Sequence, residues 1–214
     1  MTPKAVLFDC DGVLVDSEPQ AETVILGRLA AIGLDLTPAD LKEMFLGGTM
    51  RGIAEQAAAM GADVPEDWID LTYEALFASL REGVPPIVGA HQVLDALDAN
   101  RIPYAVGSNG PPAKMDITLA KTGLLERFSG RIYSGHVHGR PKPEPDIYLR
   151  AASDLGIGPE HCTVVEDSAT GARAAARAGM RCIGFAAAGG AEKLLAEGAE
   201  IAMTMAEVRV RLGL

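Results

Sequence analysis

Asp9 and Asp11 follow the apolar run Ala5–Phe8, and Glu166 and Asp167 follow Cys162–Val165 in the same way. A carboxylate at the end of a buried strand is costly unless a cation or a set of donors compensates it. Two such clusters on one point call for a hard divalent cation with oxygen ligands, and magnesium is the usual choice where phosphate is handled. Any one of these acids could simply cap the helix that follows. That reading does not account well for both clusters together. Ser108-Asn109-Gly110 closes a third apolar run, with Pro111 and Pro112 where a helix would begin. A hydroxyl, an amide and free backbone N–H groups there suit an anion, although Ser and Asn are also ordinary caps. Lys142 lies in the proline-rich stretch from Arg140 to Asp146, which holds the backbone stiff before a helix. Fixed beside the carboxylates, it would neutralise both a nucleophile and a transferring phosphoryl group. Without those neighbours it would read as a solvated loop lysine.

The elements around these residues explain how they could meet. Short β-type runs occur at Ala5–Phe8, Tyr104–Gly107, Arg131–Ser134, Cys162–Val165 and Arg181–Phe185, and helical patterns at 113–122, 145–155 and 169–178 alternate with them. That alternation, with strands apolar throughout, predicts a parallel sheet covered on both faces. Ligands of such sheets bind beyond the carboxyl ends of the strands, so the three clusters should converge although they are distant in sequence. Residues 17–84 read differently, as helical patterns at Glu22–Ile32, Pro38–Phe45, Arg51–Met60 and Glu66–Arg81 separated by glycines. The expected organisation is an α/β body of residues 1–16 and 85–214 with an all-α insertion of residues 17–84.

Composition narrows the class. The 214 residues suffice for one good core, or a core with a small insert. With 48% hydrophobic and 22% charged residues the chain is globular. A net charge of -10 disfavours nucleic acid and anionic membranes, and an anionic substrate would need a local positive site. Cys10, Cys162 and Cys182 form no CxxC pair and read as reduced, buried thiols of a cytoplasmic protein. The apolar run before Asp9 is too short for a signal peptide or a membrane span.

The ordered set Asp9-x-Asp11-Gly12, Ser108-Asn109, Lys142-Pro143-x-Pro145-Asp146 and Glu166-Asp167-Ser168 resembles the haloacid dehalogenase-like superfamily. The helical insertion is similar to the cap domain of its β-phosphoglucomutase-like and sugar (acid) phosphate phosphatase branch. The resemblance implies a Rossmann-like, doubly wound, mostly parallel core with an inserted α-helical cap. It implies that Asp9 is the nucleophile that forms an aspartyl-phosphate and that Asp11 is the general acid and base. Ser108 and Lys142 would hold the phosphoryl oxygens, with Asn109 beside them. Magnesium would be held by Asp9, the backbone carbonyl of Asp11, Asp167 and Glu166, the last directly or through water.

Asp11 argues for phosphoryl transfer and against the dehalogenase branch, which lacks that acid. Sugar-phosphate mutases similar to β-phosphoglucomutase carry a His and an Arg where this chain has Ala21 and Met50, although Arg51 is adjacent. A phosphatase acting on a small phosphorylated metabolite is therefore the expectation, as a monomer or weak homodimer. A receiver-type signalling domain would not need the insertion, and a non-catalytic binding module would be expected to have lost Asp9 or Asp11. Substrate selection is assigned to the stretch Gly47–Arg51, with Gly48 and Arg51 as contacts. Arg51 as a solvated helix residue is an equal alternative. His136 and His138 have a metal-like spacing but no third ligand in view, and Trp68 reads as packing.

Overall fold

The computed structural model describes residues 2–44 and 49–214. Its sheet comprises β1 (Ala5–Phe8), β2 (Tyr104–Ser108), β3 (Ile132–Ser134), β4 (Cys162–Glu166), β5 (Arg181–Phe185) and β6 (Glu200–Ala202). The strands lie in the order β3-β2-β1-β4-β5-β6, and all neighbouring pairs are parallel. Every residue of β1, β2 and β4 is buried. These strands therefore show continuous apolar runs in place of the alternation of a half-exposed sheet.

Between β1 and β2 the chain builds α1 (Glu18–Ala30), α2 (Pro38–Met44), α3 (Met50–Ala59), α4 (Trp68–Glu82) and α5 (Ala90–Ala99). The later helices are α6 (Pro112–Lys121), α7 (Asp146–Asp154), α8 (Ala169–Arg177), α9 (Ala191–Ala196) and α10 (Met205–Leu212). Val6 and Phe8 pack on one face of the sheet with α5, α6 and α10. Ala5 and Leu7 pack on the other with α7, α8 and α9. The small buried residues of α8, Gly171, Ala172, Ala174 and Ala175, let that helix lie close against the sheet.

The chain divides into two compact units, Met1–Asp16 with Pro85–Leu214, and Ser17–Val84. The second has no strand among its described residues. Its core gathers Ile25, Leu29, Ile53 and Trp68, and the Trp68 indole N–H donates to the Arg28 carbonyl at 3.2 Å. Among the described residues no helix is long and apolar enough to cross a membrane.

Strand order fixes where a ligand can sit. From β1 the chain builds one half of the sheet through β2 and β3, then returns to the other side of β1 for β4, β5 and β6. The reversal leaves a crevice at the carboxyl ends of β1 and β4. Phe8 lies in register with Val106 and Val165, so Asp9, Ser108 and Glu166 emerge there at nearly one level.

Candidate active site

Lys142 is the centre of the polar cluster. Its Nζ donates to Asp9 Oδ1 and to Glu166 Oε1, each at 2.6 Å. Lys142 is 6% exposed, Asp9 9% and Glu166 not at all, so the three form a desolvated triad instead of a surface ion pair. The lysine reaches this point from the loop between β3 and α7, and its backbone is clamped. The Asn109 amide donates to the Lys142 carbonyl at 3.0 Å and accepts from the Lys142 N–H at 2.7 Å. The Tyr148 ring lies 4.9 Å from the Lys142 ammonium, a favourable cation–π contact.

Glu166 accepts from four donors: Lys142 Nζ, the Tyr148 hydroxyl at 3.0 Å, the Ser168 N–H at 3.0 Å and the Ser168 hydroxyl at 2.9 Å. A Cβ added to Gly171 would fall on this carboxylate, which is why the first turn of α8 carries glycine there. Gly12, with φ of 75°, is constrained in the same way, because a Cβ would strike the Asp167 carboxylate. Asp9, Glu166 and Asp167 each present an oxygen within 4.8 Å of the others. That hard, anionic donor set seated against glycine backbone fits a magnesium-sized cation.

Asp11 pairs with Lys114 Nζ at 2.8 Å. Ser108, 3% exposed, accepts at Oγ from the Gly110 N–H at 3.0 Å. Asp9, Asp11, Ser108, Asn109, Lys142 and Glu166, joined by Gly110, Ser168 and Thr170, line a cavity of about 140 Å³. Burial pushes the Asp9 carboxyl up to about 7; Lys142 pulls the other way, and the nearby Glu166 and Asp11 add to the rise. Burial works against the Lys142 ammonium, but Asp9 and Glu166 outweigh it and hold its pKa above the ordinary lysine value. Lys114 is raised in the same way, with Asp11 prevailing over burial.

The model of haloacid dehalogenase-like hydrolases matches residues 3–179. The chain belongs to that family. Among curated relatives it is 32% identical to the 6-phosphogluconate phosphatase of Escherichia coli K12, over 86% of this chain and 83% of that protein. It is 33% identical to the phosphoglycolate phosphatase of Xylella fastidiosa strain 9a5c, over 83% and 78% of the two chains. A haloacid dehalogenase family hydrolase from Deinococcus radiodurans R1, solved with phosphate and sodium bound, superposes with a TM-score of 0.83 at 37% identity. That match covers 98% of this chain and 95% of the other.

In this haloacid dehalogenase-like hydrolase the strand-end residues singled out in the sequence do lie together: Asp9, Asp11, Ser108, Asn109, Lys142 and Glu166 share the cavity, and Asp167 joins the carboxylate group. The Asp11 carboxylate is outside that group and faces Lys114. Arg51 is an exposed residue in the first turn of α3, and Gly48 lies outside the described residues. His138 is committed locally, its Nδ1 accepting from the Ser134 N–H at 3.1 Å and its ring edge-on to Tyr133. In the sequence Lys114 stands out only with Met115, as part of a phosphatase-like stretch after Ser108-Asn109-Gly110-Pro111, and Tyr148 and Thr170 carry no signal. Lys114 could have been found by starting α6 at Pro112 and asking which first-turn side chain reaches the end of β1.

Proposed function

We propose that the chain is a magnesium-dependent phosphatase of a small phosphorylated metabolite, a sugar, sugar-alcohol or sugar-acid phosphate. The observation that carries this reading is the buried Asp9–Lys142–Glu166 triad at the sheet's switch point. With Oδ1 held by Lys142, the Asp9 carboxylate is fixed in rotation and attacks phosphorus through its other oxygen. The Asp9 O–P bond forms as the ester P–O bond breaks, and the departing oxygen keeps the electron pair and takes a proton from Asp11. Water then attacks the aspartyl-phosphate and gives a proton to Asp11, releasing phosphate and restoring Asp9.

Ser108 and Lys142 hold the phosphoryl oxygens, and Asn109 keeps Lys142 in place. Asp9 and Asp167, with the backbone carbonyl of Asp11 and with Glu166 directly or through water, would hold magnesium, whose charge would let a carboxylate and a phosphate monoester approach one another. The cavity is far smaller than the roughly 300–1,000 Å³ of drug-sized sites, which suits a phosphoryl group. We assign residues 17–84 the role of a cap, with Arg51 and Gly48 selecting the alcohol. Ala21 supplies no acid–base group for a mutase. The free, buried state of all three cysteines agrees with a cytoplasmic enzyme, which we expect to be a monomer or weak homodimer.

Phosphate release from a panel of sugar, sugar-alcohol and sugar-acid phosphates, with and without magnesium, tests the proposal in wild type and Asp9→Asn. Turnover that requires both the metal and Asp9 supports it. Isomerisation of glucose 1-phosphate without phosphate release would make the protein a mutase instead.

A further inference from the structure

We infer that Lys114 is a positioning residue for leaving-group protonation: its hold on Asp11 Oδ1 turns the other oxygen, which carries the proton when the ester is bound, toward the departing oxygen. The inference rests on the reading of Asp11 as the general acid. Lys114 stands in the first turn of α6, and Met115 and Leu119 of that helix are locked in the core beside β1. Its stem passes Gly110, where an added Cβ would lie 3.7 Å from Lys114 Cδ. Its Nζ then meets Asp11 Oδ1 at 2.8 Å, with 13% of the lysine side chain exposed.

The second oxygen shows what the pairing achieves. The same Gly110 Cβ would lie 3.3 Å from Ser108 Oγ and 3.7 Å from Asp11 Oδ2, so those two oxygens border one small space. With Oδ1 engaged by Lys114, Oδ2 is presented on the side of Ser108, the residue assigned to the phosphoryl oxygens. An acid that must reach the ester oxygen as its bond to phosphorus breaks needs this orientation more than it needs charge. A side chain at position 110 would begin in this space.

Leaving groups separate this role from a purely structural one. An alkoxide must be protonated as it departs, whereas p-nitrophenolate leaves as an anion and needs no proton. Lys114→Met keeps the stem and removes the ammonium. The test is kcat/KM, which covers the steps through departure of the alcohol, on 6-phosphogluconate, glycerol 1-phosphate and p-nitrophenyl phosphate. Taking the alkyl-to-aryl ratio within each preparation cancels any loss of folded enzyme. Lys114→Met should lose about 30-fold on the two alkyl esters and less than about 3-fold on the aryl ester, a fraction of what general acid catalysis supplies. Lys114→Arg should recover most of the alkyl activity.

Equal losses on alkyl and aryl esters would overturn the inference, as would a loss confined to KM for 6-phosphogluconate. Asp11→Asn is the reference. If it also fails to discriminate between leaving groups, the general-acid reading itself is wrong. If Asp11→Asn discriminates and Lys114→Met does not, only the role given to Lys114 falls.

Discussion

The α/β unit and the helical unit differ most in what they do with buried polar groups. In the α/β unit Asp9, Ser108 and Glu166 at strand ends and Lys142 from the loop before α7 are buried together, and each charge depends on the others for compensation. In the helical unit the buried polar residues among those described are Ser17 and Thr72, and the Thr72 hydroxyl donates to the carbonyl of Trp68 one turn earlier. One unit thus tolerates desolvated charge, which folding alone does not reward. The other buries apolar side chains around Trp68, and no charged residue among those described in it is buried. Chemistry can be read from the first because its arrangement makes little sense without a ligand. The packing of the second names no substrate.

Four changes test this contrast, taken from the largest expected effect. Lys142→Met should lower kcat by about 10³-fold, at the upper end for removing a preorganised electrostatic partner, as measured by phosphate release. Trp68→Ala should cost about 3–5 kcal/mol in urea unfolding, the range for emptying a large buried aromatic site. At temperatures where that variant is folded, its turnover of p-nitrophenyl phosphate should fall far less than that of Lys142→Met; an equal fall would break the contrast. Magnesium at about 100 times its dissociation constant should add about 2.7 kcal/mol to unfolding, by linkage to the folded state alone. Asp167→Asn should lose most of that gain in a thermal shift assay. Tyr148→Phe should lower kcat by about 3- to 10-fold, the equivalent of one buried hydrogen bond, with KM nearly unchanged.

Much of the site was legible because the strands that carry it are buried on both faces. Ala5–Phe8 and Cys162–Val165 stand out as unbroken apolar runs, and the rule for ligand placement in open sheets does the rest. Other features left weaker traces. β6 is three residues long and its Glu200 is exposed, too short and too polar to signal a strand. Asn109 reads as an anion-binding amide, yet its side chain fixes the backbone of Lys142, a partnership across 33 residues that no local pattern announces. Tyr148 and Lys114 are ordinary helix residues by type and spacing, and only the packing of α7 and α6 brings them to Glu166 and Asp11. Gly171 looks like a weak point in a helix until the Glu166 carboxylate is seen in the place of its missing Cβ.

The proposed phosphatase chemistry requires a phosphoryl group bound covalently to Asp9. Acid quenching during turnover, followed by borohydride reduction, converts an aspartyl-phosphate to homoserine, which peptide mass spectrometry locates. Homoserine at position 9, present only with substrate and magnesium and absent in Asp9→Asn, is the predicted result. Steady phosphate release with no modified residue at position 9, or with the modification at another carboxylate, would contradict it.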